Sequence, residues 1–392
     1  MKNRKLLILH TECVSLRGGE KYLYETIKRL PKQLRVVLCL ETVSLYWSRR
    51  FRELGVTVAP LWKPRFGYWF FLPITILINY FCLLRVVDDH TVVLTTNFPL
   101  NFLGVILSKK SLVFCFEPLS IFYDQVRFNT MSFRAKFFLN IARTCYQWFD
   151  AYAIRHATLL ATLNAHVAQY IINRYKRAPD LYLPNGVDHQ IFFPTKKRSS
   201  RNHFILLHST DYTMLKGTEL LIRSLRRVVQ RYPNIEVHIS ESINNSIEKE
   251  KYLSLISSLH LKKVVRFVGI ISEDQLPSFY QSGDVFCYLG SPYCGGGSTA
   301  SLSVIEAQAC GVPVLRSFGG NGEIVNTKTG YYIHDYSESG VAKTIVRFLQ
   351  LPISKKRSLS KMARQHTVKL FSWDKTAMAL NNAAQKLFYA QQ

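Results

Sequence analysis

The chain reads as an α/β protein made of two doubly wound domains, and three observations carry that reading. Its 392 residues are enough for two cores of ordinary size. Short apolar runs alternate with amphipathic segments along nearly the whole length, as in a parallel sheet with helices on both faces. A turn-rich joint, Leu183-Pro184-Asn185-Gly186-Val187-Asp188, followed by Pro194 and a polar, charged run at 196–202, divides the pattern in two. The expected domains are 1–183 and 184–370, with a last helical segment at 371–392.

In the first half, residues 6–10 read as a strand. A loop then leads to Arg17-Gly18-Gly19-Glu20 and a helix to about residue 30. Strands at 36–40, 57–60, 91–95 and 112–116 alternate with helical patterns at 49–54, 66–84 and 102–108. A long aromatic and basic stretch covers 126–156 and includes Arg134, Lys136, Phe137, Phe138, Arg143 and Trp148. It fits either a second membrane-facing surface or a solvated basic helix with a packed aromatic face. A strand at 159–163 and a helix at 165–176 complete the half. The second half repeats the logic, with strands at 203–208, 235–239, 264–270, 284–289 and 312–316. Helices are expected at 218–231, 247–259 and 273–282, with three more at 341–351, 358–370 and 375–389. In such folds the ligand lies at strand C-termini.

Composition narrows the function classes. Apolar content of 48% indicates a folded chain. A formal net charge of +25, spread along the sequence, makes nucleic acid, an anionic membrane surface and an anionic substrate the candidate partners. With no zinc-type cysteine pairs, no RNA-binding aromatic signature and no basic helix with base-reading spacing, nucleic acid is the weakest of the three, and no nucleic-acid partner is expected. The eight cysteines lie scattered, mostly in apolar runs, which fits reduced thiols in a cytosolic protein. Residues 66–84 carry no charge and are flanked by Arg65 and Arg85. Pro73, Asn79 and the crowd Phe66, Tyr68, Trp69, Phe70 and Phe71 favour an interfacial helix; a core helix and a short membrane span are the alternatives.

The most informative segment is the Gly-rich loop Cys294-Gly295-Gly296-Gly297 running into Ser298-Thr299-Ala300-Ser301-Leu302 and a helix that ends at Gly311. A loop that opens into a helix presents unpaired N–H groups and the positive end of a dipole, which suits phosphate. Glu306, about two turns in, is placed to reach a ribose hydroxyl. The alternative is an ordinary loop–helix–strand unit with Gly at the helix end.

Taken in order, Gly18-Gly19-Glu20, Asn185-Gly186-Val187-Asp188, Lys216-Gly217, Gly269 with 273–276, Asp284, Glu306-Ala307 through Gly311-Val312-Pro313-Val314, and Gly319-Gly320 with Glu323 resemble the retaining glycosyltransferases of family 4. The resemblance covers nearly the whole chain. It implies a GT-B architecture, two Rossmann-like domains facing a cleft, with the acceptor on the first domain and the nucleotide-sugar held mainly by the second. It also implies that the last helix crosses back onto the first domain. The donor would be a nucleoside-diphosphate sugar, UDP- or GDP-linked, with no resident cofactor. Neutralising a departing diphosphate takes a metal, or cations and helix dipoles. No Asp-x-Asp occurs and Asp88-Asp89 is adjacent, so the metal-free solution is expected. Lys216 serves as a compact cation, the Gly18-Gly19 backbone approaches the diphosphate, and the helix start at 298–302 assists. By resemblance Glu306 holds the ribose, and the backbone of Gly269 and Ile270 frames the base.

Three departures from the family pattern stand out. Ser298 occupies the position eight before Glu306, where the family has a second glutamate that touches the donor sugar. Residues 209–215, ahead of Lys216, contain no arginine. Phe116-Glu117-Pro118 stands where relatives have His-Glu-Pro, and Glu117 either takes a polar role near the reacting sugar or caps a loop. The expected activity is metal-independent, retaining sugar transfer to a lipid-linked sugar or polysaccharide, with Glu117, Lys216 and Ser298 nearest the chemistry. The expected location is the cytoplasmic face of a membrane, bound peripherally. The alternative is a catalytically impaired GT-B protein that serves as a binding or scaffold subunit of a glycosylation complex.

Overall fold

The computed structural model describes residues 4–14, 18–116, 128, 131–195, 203–290, 301–317 and 325–389. The chain forms two compact units. Unit 1 comprises Met1–Pro184 with Trp373–Gln392, and unit 2 comprises Asn185–Ser372.

Among the described residues, unit 1 is built on seven strands: β1 (Lys5–Cys13), β2 (Arg35–Val43), β3 (Thr57–Pro60), β4 (Thr91–Thr95), β5 (Ser111–Cys115), β6 (Leu159–Thr162) and β7 (Leu181–Tyr182). Their order is β3-β2-β1-β4-β5-β6-β7, and every neighbouring pair runs parallel. The helices are α1 (Gly18–Lys28), α2 (Leu45–Glu53), α3 (Leu72–Leu84), α4 (Leu100–Leu107), α5 (Phe133–His156) and α6 (Ala165–Tyr175). Strands β1 and β4 are buried along their apolar runs, as a sheet covered on both faces requires. Leu7, Leu9, Val37 and Val93 pack under Leu100 and Leu103 of α4. Gly104 permits this close seating, because a Cβ there would meet Thr95 Cγ2 at 2.3 Å. Asp88, one of the adjacent aspartates, is occupied in the turn before β4: it pairs with Lys5 at 3.1 Å and accepts from the Thr91 hydroxyl at 2.7 Å.

Among the described residues, unit 2 carries six parallel strands: β8 (Phe204–Thr210), β9 (Ile235–Glu241), β10 (Val265–Ile270), β11 (Val285–Tyr288), β12 (Val314–Ser317) and β13 (Gly330–Ile333), in the order β10-β9-β8-β11-β12-β13. Its helices are α7 (Thr218–Val229), α8 (Ser246–Ser258), α9 (Leu276–Ser282), α10 (Leu302–Ala309), α11 (Glu338–Leu349) and α12 (Ile353–Leu370). The period-2 rule is visible in β8. Leu206 packs with Leu221, Leu225 and Ile345 on one face, and Ile205 and Leu207 pack with Phe279, Val304 and Ile305 on the other.

The last helix, α13 (Trp373–Tyr389), packs in unit 1. The Trp373 ring lies 5.4 Å from that of Tyr22, the Thr376 hydroxyl donates to the Pro184 carbonyl at 2.7 Å, and Asp374 pairs with Arg29 at 3.3 Å. In both sheets the strand order reverses beside the first strand of the unit. In unit 2 that switch point lies between β8 and β11, where a ligand of an open α/β sheet is expected.

Candidate functional site: the carboxyl edge of the unit 2 sheet

The Lys216-Gly217 pair sits at this switch point because of the glycine. After β8 the chain makes a short 3-10 turn, Met214–Lys216, and Gly217 takes φ +64 before α7 begins. A side chain at 217 is excluded on space as well as on conformation. An added Cβ would stand 2.4 Å from the Leu289 carbonyl oxygen, 2.6 Å from Leu289 Cβ and 2.9 Å from the Tyr336 hydroxyl. The turn therefore presses against the end of β11. Lys216 is carried over the ring of Tyr288, the last residue of β11, with Nζ 5.4 Å from the centroid.

A buried polar set fixes this turn. His208 Nδ1 lies 2.9 Å from the Cys287 carbonyl and its Nε2 lies 3.0 Å from Thr218 Oγ1. Thr218 Oγ1 is also 2.8 Å from Thr210 Oγ1. The Tyr336 hydroxyl donates to the Leu289 carbonyl at 2.8 Å. Burial holds His208 down to about pKa 4, so the ring is neutral and bridges β8, β11 and the start of α7 without adding charge.

Glu306 is fully structured. It lies in the second turn of α10, a little short of the two turns expected, because the helix starts at Leu302 with Ser301 as N-cap. Its side chain is buried and accepts a hydrogen bond from the Tyr280 hydroxyl at 3.1 Å. Desolvation, then the nearby carboxylate, keeps Tyr280 protonated far above the usual range, so it is a reliable donor. Tyr280 also bonds Ser209 at the end of β8, and Ser209 Oγ is 2.7 Å from Ser240 Oγ on β9. Ser240 is the register partner of Gly269. Glu306, Ser209 and Gly269 are thus connected along the strand ends by named contacts. Gly269 follows a break in the β9–β10 register and has φ +82, with nothing within 4 Å of an added Cβ, and Ile270 beside it is exposed. This leaves open backbone at the strand end.

Helix α10 ends as its sequence demands. Gly311 (φ +74) closes a Schellman pair, its N–H donating to the Gln308 carbonyl and that of Val312 to the Ala307 carbonyl, both at 2.9 Å. The start of the helix carries Ser301, whose Oγ lies 2.8 Å from Ser303 Oγ, and the half-buried Leu302.

Ser298, Thr299 and Ala300 lie outside the described residues, as does Glu117. Gly18 and Gly19 are the first two residues of α1 in unit 1, and Gly19 has open space on its Cβ side. The structure therefore brings Lys216, Glu306, Gly269 and Ile270 to one edge of one sheet, and holds Gly18 and Gly19 at a helix start in the other unit.

Sequence reasoning missed Tyr288, Tyr280, Ser209 and Arg316. Arg316 lies on β12, is 1% exposed, and places its guanidinium carbon 5.0 Å from the centroid of the Tyr288 ring that also carries Lys216. The available signal was an arginine set within the apolar strand run 312–316.

The apolar stretch 66–84 resolves into a 13-residue helix, α3, and no described helix is long and apolar enough to cross a membrane. Its outward stripe is apolar: Ile74, Leu77, Phe81 and Leu84 are exposed, whereas Thr75 and Asn79 face inward, Asn79 donating to the Trp62 carbonyl at 3.0 Å. On α5, Phe133, Phe137, Phe138, Ile141 and Trp148 are exposed, so its aromatic face is not packed away. Leu72 of α3 packs with Leu139 and Ala142 of α5, and the Tyr146 hydroxyl donates to the Trp69 carbonyl at 2.8 Å.

Comparison with known proteins agrees with this geometry. Residues 189–366 match the family model "Glycosyl transferases group 1". The chain is 27% identical over 256 residues to the putative glycosyltransferase YtcC of Bacillus subtilis, covering 59% of this chain and 61% of that one. It is 25% identical over 240 residues to the GDP-mannose-dependent monoacylated alpha-(1-6)-phosphatidylinositol monomannoside mannosyltransferase of Corynebacterium glutamicum, covering 56% and 61%. The chain thus spans about three-fifths of the length of these curated relatives. Among solved structures, Anabaena Alr3699/HepE in complex with UDP and glucose superposes with a TM-score of 0.73 at 15% identity, covering 98% of this chain and 100% of that one. Fold and similarity converge: the chain has the GT-B fold of two parallel-sheet Rossmann-like units, and its residues 189–366 match the model of the group 1 glycosyl transferases.

Proposed function

We propose that the chain is a retaining glycosyltransferase that takes its sugar from a nucleoside diphosphate, without a metal ion, and passes it to a lipid-linked sugar or polysaccharide at an anionic membrane surface. The observation that carries this reading is the placement of Lys216 and Glu306 on the carboxyl edge of the unit 2 sheet, at its switch point. A cation fixed by Gly217 suits a diphosphate, and a buried carboxylate suits a ribose hydroxyl. The start of α10, at Ser301 and Leu302, adds backbone donors. Gly269 and Ile270 supply open backbone for a base. A UDP complex of a protein of the same fold, and a GDP-mannose-dependent relative, support a UDP- or GDP-linked donor.

The membrane part rests on unit 1. Helices α3 and α5 turn apolar stripes outward, and their mutual packing puts both in one neighbourhood. Arg65, Arg85, Arg134 and Lys136 flank these stripes in sequence. Exposed aromatic and aliphatic side chains beside cations suit a headgroup layer over anionic lipid.

The test is proton NMR of a panel of sugar nucleotides incubated with the protein and bacterial membrane extract, with and without EDTA. Consumption of one donor, retention of its anomeric configuration in the product and indifference to EDTA are expected. An inverted product, or turnover abolished by EDTA, contradicts the mechanism. A folded protein that binds nucleotide and consumes no donor would point instead to a scaffold subunit.

A further inference from the structure

Lys216 is one charge, and a nucleoside diphosphate carries at least two. The seven residues before it, 209–215, contain no second cation. One does reach the same place from another strand. Arg316 lies on β12 as the register partner of Tyr288 on β11. Its guanidinium carbon is 5.0 Å from the Tyr288 centroid, and Lys216 Nζ is 5.4 Å from it. Both distances fall within cation–π range, so one ring carries two positive side chains. Tyr288 ends its strand, and Arg316 stands one residue before the end of β12. Both are therefore at the carboxyl edge, Tyr288 bordering the switch point and Arg316 one strand from it. The guanidinium is buried beside Val314, Leu315, Ser317 and Tyr288 at the end of the sheet.

We propose that Arg316 is a second donor-phosphate residue: its planar fork and Lys216 jointly hold the diphosphate, with Tyr288 as the platform that spaces the two cations. A guanidinium offers paired donors matched to phosphate oxygens, whereas the lysine acts as a point charge. The role is specific to the second phosphate. Arg316 discriminates nucleoside diphosphate from nucleoside monophosphate, while Glu306 and the Gly269–Ile270 backbone serve the nucleoside common to both. This assignment rests on the donor-site reading of unit 2.

The experiment is isothermal titration of UDP, GDP and ADP, and of the matching monophosphates, into the full chain as wild type, Arg316→Met and Arg316→Lys, with circular dichroism and melting as the record of folding. For the diphosphate that binds wild type, Arg316→Met is expected to weaken binding about tenfold or more, with the monophosphate changed less than about threefold. Arg316→Lys, which keeps the charge and loses the fork, is expected to fall between. A folded Arg316→Met variant that binds diphosphate as wild type does, or that loses both ligands in parallel, overturns the assignment. Where Arg316→Met does not fold, Arg316→Lys decides: a selective loss of diphosphate supports the role, and an unchanged diphosphate-to-monophosphate ratio overturns it. A wild type that binds no nucleoside diphosphate defeats the donor-site reading itself, and this assignment with it. Wild-type binding with insensitive variants defeats only the role of Arg316.

Discussion

Gly217 and Tyr280 show how single residues set the site. Gly217 is required twice, by its positive φ and by the Leu289 carbonyl that a Cβ would strike at 2.4 Å. Gly217→Ala is expected to cost about 2–4 kcal/mol of unfolding free energy in unit 2 and to weaken nucleotide binding, read by urea unfolding and titration. An alanine variant of wild-type stability would show that the turn relaxes freely. Tyr280 donates to the buried Glu306 carboxylate. Tyr280→Phe removes one hydrogen bond to that buried carboxylate, at an expected cost of about 1–3 kcal/mol, together with weaker binding of the nucleoside part. Lys216 was legible in the sequence because a Lys-Gly pair before an amphipathic helix is a local signal. Arg316 and Tyr280 were not, because what they do depends on strands and helices far away in sequence.

At the scale of elements, the alternation of apolar runs identified most of the strands and helices. It missed β7, whose two residues are too short for any periodicity to register, and the four-residue edge strand β13. The start of α10 at Leu302 falls within the span 298–302 read from the sequence, and Ser298, Thr299 and Ala300 lie outside the described residues. The helix α3 was legible as apolar but not as inverted. Only the structure shows Thr75 and Asn79 turned in and Ile74, Leu77 and Phe81 turned out. That orientation yields a prediction specific to the element. Leu77→Glu with Phe81→Glu removes only exposed apolar surface, so stability should stay within about 0.5 kcal/mol per site. Flotation with vesicles containing anionic lipid should fall sharply. Unchanged flotation would show that α3 does not touch the bilayer.

At the scale of the whole molecule, each unit buries one neutral histidine at its sheet. His10 in unit 1 lies 2.5 Å from Thr96 Oγ1 through Nδ1, and burial holds it, like His208 in unit 2, down to about 4. In the unfolded chain both take up protons near pH 6.5. The folded form resists protonation, so stability is full above 6.5 and is lost as pH falls toward 4. Each histidine should remove about 2 kcal/mol by pH 5. The urea midpoint is therefore expected to drop between pH 7.5 and 5, and His208→Gln should flatten the part of that slope belonging to unit 2. A midpoint independent of pH over this interval would contradict the assignment of both rings as neutral.

The proposed donor site of unit 2 holds a nucleoside diphosphate between Lys216 and Glu306. The most direct measurement is a thermal-shift titration with UDP, GDP, ADP and their sugar conjugates, on wild type and on the double variant Lys216→Ala with Glu306→Ala. A ligand that binds the native state must raise its apparent stability. One nucleotide should raise the melting temperature of wild type and leave the double variant unmoved. No shift from any of them on well-folded wild type, or an equal shift in the double variant, would contradict the site.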